Sequence, residues 1–129
     1  MIKERLENEF PGAIEEWGWK YHHMGIPTNE RFPHEQYLPQ FKFYVSGFPN
    51  SPFGIEWMRF EKDSPIHTLI KKVPHIAFVV PDLDYELDNR GFKIITEPNQ
   101  PMDGIRVAMI EHKGAPIELM EFEDANARK

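Results

Sequence analysis

Between residues 20 and 122 the apolar positions fall into short runs broken by Pro, Gly and Asn: YHHMGI, FKFYVSGF, FGIEWMRFE, HIAFVV, FKIIT, IRVAMIE and APIELMEF. Their length and punctuation predict β-strands. Two segments carry helical spacing instead. In MIKERLENEF, Ile2, Leu6 and Phe10 lie four apart and Pro11-Gly12 follows, which predicts a short amphipathic helix or docking arm ending there. In PDLDYELDNRGF, Pro81 and Asp82 are start signals, Leu83 and Leu87 share a face, and Gly91 is a stop. Twelve prolines disfavour long helices elsewhere. The expected fold class is α+β with a mainly β core.

The strands contain a repeat. GIEWMRFE, Gly54 to Glu61, and PIELMEFE, Pro116 to Glu123, share Ile, Glu, Met, Phe and a final Glu at the same offsets, 62 residues apart. HMGIPT, from His23, and HIAFVV, from His75, share a His, a large apolar residue, a small residue and another large one, 52 residues apart. The chain therefore reads as two copies of one unit, each opening on a His strand and closing on a Glu strand. The second copy is about ten residues longer between its His and its Glu, the length of the helix near Asp82; the first has the proline-broken TNERFPHEQYLPQ instead and is expected to be helix-poor.

Strand alternation assigns faces. Ile76, Phe78 and Val80 must face a packed layer under the helix, so His75 and Ala77 face the other way. The same logic places His23 with Gly25 on the equivalent face and His22 with Met24 and Ile26 opposite, making His23 the candidate of the HH pair. Glu56 shares a face with Met58 and Phe60, and Glu118 with Met120 and Phe122. A carboxylate among such neighbours is costly unless it is paired or coordinated.

Composition narrows the chemistry. There is no cysteine, which excludes disulfides, catalytic thiols and thiolate metal sites and leaves His, Asp and Glu as metal donors. A net charge of -6 with scattered Lys and Arg argues against nucleic acid as a partner. MIKERLENEF has no signal-peptide core, and no apolar run approaches the roughly 20 residues of a membrane span. A cytoplasmic protein with no membrane partner is expected. With 129 residues, one domain is expected over 1–129: an arm at 1–19, a first module at 20–64, a second at 70–124 and a tail at 125–129.

On HHMGI, GIEWMRF, PHIAFVVPDLDYEL, GFKIITEP and APIELMEF the sequence resembles the vicinal oxygen chelate superfamily, which includes glyoxalase I, methylmalonyl-CoA epimerase, extradiol dioxygenases and the fosfomycin and bleomycin resistance proteins. The resemblance spans roughly 21–122. It implies two βαβββ modules with mostly antiparallel sheets forming an open, cup-like barrel around one divalent ion, each module giving one ligand from its first strand and one from its last. Carried onto this chain, the ligands are His23, Glu56, His75 and Glu118. Two neutral imidazoles and two carboxylates balance a dication and leave octahedral positions for substrate oxygens; Zn, Ni, Co, Mn and Fe all suit this set. The resemblance further implies a glyoxalase-like lyase or isomerase that captures a small substrate through two neighbouring oxygens and passes through an enolate, with Glu118 as the first choice of base and Glu56 a near equal. It also implies a homodimer. An extradiol dioxygenase and a metal-free module that sequesters a small molecule are the alternatives.

The other chemistry-bearing residues read as structural. Trp17 and Trp19 are expected to pack the N-terminal arm, and His34, His67 and His112 to lie at the surface. Arg59 or Arg106 could pair with a substrate carboxylate, and NERFPHEQYLPQF is either a lid or a surface loop.

Overall fold

The computed structural model describes residues 4–6 and 9–123. A short helix, α1 (Gly12–Glu15), precedes the first module, which comprises β1 (Lys20–Pro27), β2 (Gln36–Leu38), β3 (Phe43–Ser46) and β4 (Ile55–Phe60). Helix α2 (Thr68–Lys72) leads into the second module: β5 (His75–Val79), α3 (Leu83–Asn89), β6 (Lys93–Met102), β7 (Ile105–His112) and β8 (Ala115–Phe122). The eight strands make one mixed sheet in the order β2-β3-β4-β1-β5-β8-β7-β6. Within each module the first and last strands run parallel, and β1 meets β5 antiparallel at the centre. The two-copy pattern of the sequence is thus a two-fold relation about that central pair, with the first copy short of a helix.

The sheet curls into an open half-barrel. Phe43 and Met58 of the first module bury themselves against Met109 of the second and Ile70 of α2, and Gln40 Nε2 donates to the Pro101 carbonyl at 3.2 Å. A flat sheet would hold these strands far apart. On the convex side Trp19, Phe78, Val80, Leu83, Ala108, Ile110 and Leu119 form the main core. Leu83, Phe78 and Val80 meet there as alternation requires, while Ala77 joins Val107 and Met120 on the concave side.

Helix α3 obeys its sequence signals. The Asp82 carboxylate accepts from Tyr85 N at 3.1 Å, Glu121 Oε1 of β8 accepts from Leu83 N at 2.8 Å, and Gly91 follows with φ +67°. The helix expected within 1–10 lies in part outside the described residues. Residues 4–6 and 9–10 are not helical, and Pro11 opens α1 instead of closing a helix, its fixed φ and missing N–H being tolerated at a start. Two short elements carry too little periodicity to be foreseen: β2, three residues long, and α2, five residues capped by the His67 side chain accepting from Leu69 N at 3.1 Å.

The arm is anchored by a buried polar contact. Trp19 Nε1 donates to Glu86 Oε1 of α3 at 3.0 Å; Arg90 pairs with the same carboxylate and lies 4.0 Å over the Trp17 ring. Trp19→Phe keeps most of the aromatic packing but strips a buried carboxylate of one donor. A loss of about 1–3 kcal/mol is expected, read as a lower urea midpoint at unchanged slope; an unchanged midpoint would show that Arg90 alone satisfies Glu86.

Candidate metal centre

The sheet register places the four candidate residues on adjoining sites of the concave face. Across the central pair His23 lies opposite Ala77, and Gly25 opposite His75. One strand further out, Glu56 lies beside Gly25 and Glu118 beside Ala77. The small residue of each copy therefore makes room for the imidazole of the other. Gly25 is the tighter case, because a Cβ there would stand 2.2 Å from His75 Cε1 and 2.7 Å from both ring nitrogens. Ala77 is fully buried.

Three of the four side chains converge. His75 Nε2 donates to Glu118 Oε1 at 3.1 Å, and His23 Nε2 lies 3.3 Å from the same oxygen. One ligand atom from each of His23, His75 and Glu118 fits within 4.8 Å of the others. Glu56 stands off: its Oε1 is 4.0 Å from His23 Nε2, and it is outside that cluster. Both histidines are buried, and the two carboxylates are partly open to the cup. Among the described residues, His23 Nε2 and His75 Nδ1 are buried side-chain nitrogens with no hydrogen-bond partner. A buried nitrogen left that way is costly in a protein interior. In His23 it faces two carboxylates and a second imidazole, so the donor set fits a divalent ion held by His23, His75 and Glu118.

The electrostatics separate the two glutamates. Burial works against ionising Glu118, but His23 and His75 outweigh it and hold the carboxyl down at about 2. Burial also dominates at Glu56 and raises its pKa; His23 opposes that rise and the nearby Glu118 charge adds to it. At His23 burial favours the neutral ring, yet Glu118 and, more weakly, Glu56 carry the pKa above the ordinary value. One carboxylate pushed down and its neighbour pushed up is the pattern of two groups with different tasks.

Alternation misplaces His22. A β-bulge lies between Tyr21 and His23, where β1 carries one residue more than β5. The extra residue turns His22 off the face of Met24 and Ile26 and into the concave side. Its Nδ1 sits 2.7 Å from His23 Nδ1, and its ring stacks on Phe48 at 4.9 Å and 12°. A strict two-residue period cannot show a bulge, and the doubled histidine is the only trace of it in the sequence.

Around these groups opens a cup of about 490 Å³, with Phe43, Val45, Phe48, Met58, Ile105, Val107, Met120 and Phe122 among its apolar walls. The segment left open between lid and loop becomes a wall: β2 turns Gln36 and Leu38 toward the cup, and His34 reaches its rim from a turn with φ +64°. His34 and His112 are exposed, and His67 caps α2. Neither arginine is available to a substrate. Arg59 makes a two-point pair with Glu35 at 2.9 and 2.7 Å and lies over Tyr44, and Arg106 makes one with Asp84 at 3.1 and 3.0 Å. Among the described residues no Lys or Arg lines the cup, and no helix is long and apolar enough to cross a membrane.

The curled sheet of two related modules thus carries a His/Glu cluster on its concave face. No protein-family profile matches the sequence, and no curated protein matches it. Solved structures do. The hypothetical protein BH1468 from Bacillus halodurans C-125 superposes with a TM-score of 0.63 at 21% identity, over 82% of this chain and 96% of its own. Methylmalonyl-CoA epimerase from Mycobacterium tuberculosis superposes with a TM-score of 0.58 at 22% identity, over 85% of this chain and 92% of its own. At such identities the likeness shows the fold, and it is the fold implied by the sequence resemblance.

Proposed function

We propose that this chain is a divalent-metal-dependent isomerase or lyase that takes a proton from the carbon beside a carbonyl of a small substrate with two neighbouring oxygens. The observation that carries the reading is the convergence of His23, His75 and Glu118, with His23 and Glu118 lining an apolar cup. An ion held by His23, His75 and Glu118 would supply Lewis acidity at the substrate carbonyl. Glu118, engaged with both imidazoles, is the residue to hold the ion. Glu56 is better placed as the base: it is held only at 4.0 Å from His23, and its raised pKa suits proton uptake. Phe48, Met58, Met120 and Phe122 would enclose the body of the substrate and exclude water. Walls of this kind fit a substrate whose remainder is apolar.

A second reading has an observation of its own. With Glu56 outside the cluster, the donor set is two histidines and one carboxylate, the composition of ferrous oxygenases, so an extradiol-type dioxygenase is the runner-up. Elemental analysis of untagged protein never exposed to chelator comes first. One equivalent of metal is expected. Protein loaded with Ni, Co, Mn or Zn is then expected to exchange the α-proton of 2-hydroxyketones or 2-oxo thioesters for deuterium, followed by NMR. Oxygen uptake with catechols by the ferrous form alone would establish the dioxygenase instead. Failure to take up any of these ions would sink both readings and leave a metal-free binding module.

A further inference from the structure

The bulge at His22 is built into the middle of the site. Regular alternation would have put an apolar residue at 22 under the convex core. Instead β1 carries an additional residue, and that residue is a histidine hydrogen-bonded to a candidate ligand. Its ring is held on two sides, stacked on Phe48 at 4.9 Å and leaning on Phe122 at 5.6 Å. A side chain fixed in this way points its Nδ1 at one target.

That target is His23 Nδ1, at 2.7 Å. Two imidazole nitrogens at this distance share one proton, so one ring donates and the other accepts. His23 presents its other nitrogen, Nε2, to Glu118 at 3.3 Å and Glu56 at 4.0 Å. Coordination through Nε2 requires a lone pair there, and therefore the proton on Nδ1. We propose that His22 is a positioning residue: by accepting from His23 Nδ1–H it fixes the His23 tautomer and ring angle with Nε2 turned into the site. The inference rests on the metal reading above. It assigns His22 no contact with ion or substrate. Histidine ligands commonly require such an acceptor behind them, and its loss weakens metal binding by about 10–100-fold.

Two measurements test it, one of them independent of metal. In chelator-treated protein at pH 8, ionised Glu118, 3.3 Å from Nε2, draws the His23 proton to that nitrogen while His22 draws it to Nδ1. Long-range ¹⁵N–¹H NMR of the histidine rings is expected to show a substantial Nδ1–H fraction in the parent. In His22→Leu that ring is expected to shift toward the Nε2–H form, and in His22→Gln, whose side-chain carbonyl can accept, to revert toward the parent. Zinc affinity, read by chelator competition, is expected to fall about 10–100-fold in His22→Leu and to recover in part in His22→Gln, with one site per chain throughout. An unchanged His23 tautomer in His22→Leu would overturn the proposal while leaving the metal site intact. A complete loss of zinc binding in both variants would also overturn it, by making His22 a ligand. A parent that binds no ion would remove the metal reading, and the NMR comparison alone would then decide whether His22 orients His23.

Discussion

Gly25→Ala is expected to disable the site without touching a ligand. An alanine Cβ would stand 2.2 Å from His75 Cε1, so the ring must move by more than an ångström or the strands must part. His75 is buried against its neighbours and has little room to move. A loss of about 1–3 kcal/mol in stability is expected, together with at least about a 100-fold loss in metal affinity, about 2.7 kcal/mol, because a ligand nitrogen leaves the cluster. A double-mutant cycle isolates the cause. If the clash is the reason, His75→Ala should relieve it, and Gly25→Ala/His75→Ala should be more stable than the two single losses predict. Simple additivity, or a Gly25→Ala protein that binds metal like the parent, would show that β1 and β5 adjust freely.

Glu118→Gln carries the second large effect, and it is a loss in two separate observables. Metal affinity should fall by at least about 100-fold, since one of three converging donors becomes a neutral amide. In metal-free protein the consequence is a pH-dependent loss of stability. Glu118 is held down at about 2 against an ordinary 4.5, so its contribution is fully present above pH 4.5 and is lost as pH falls toward about 2. His23 is shifted upward from 6.5, so its contribution is present below pH 6.5 and is lost as pH rises through its raised value. The stabilisation shared by the Glu118 carboxylate and His23 is therefore greatest between about pH 4.5 and 6.5. It is on the order of 3 kcal/mol, from the gap between an ordinary 4.5 and about 2 at 1.36 kcal/mol per pH unit. Urea melts of parent and Glu118→Gln, taken from pH 2 to 8, are expected to differ most in that window and to approach each other on both sides. A difference independent of pH would place the role of Glu118 in packing.

Much of this was legible in one dimension because the repeat is short-ranged and periodic. The matched offsets of GIEWMRFE and PIELMEFE, and of HMGIPT and HIAFVV, name the equivalent strands of the two copies. Alternation along them puts Phe78 and Val80 on the convex core and His75 and Ala77 on the concave face, as the structure has them. The stop and start signals around Asp82 and Gly91 frame α3 to within two residues.

Other features depend on distances across the sheet. Alternation fails at His22 because a bulge is a property of two strands together, visible only where β1 is counted against β5. The role of Gly25 is likewise absent from its own neighbourhood in the chain: the atom that forbids a side chain there belongs to His75, fifty residues on. The sequence treats Glu56 and Glu118 as equivalents; the folded site does not, since Glu118 meets both histidines and Glu56 remains 4.0 Å from the nearer one. The pattern of apolar and polar residues thus determined the strands, their duplication and the faces of the four candidate residues, because those follow from local periodicity. The curl of the sheet, the cup it encloses and the unequal standing of the two carboxylates were decided only by tertiary packing, because each depends on which atoms of distant strands come within a few ångströms of one another.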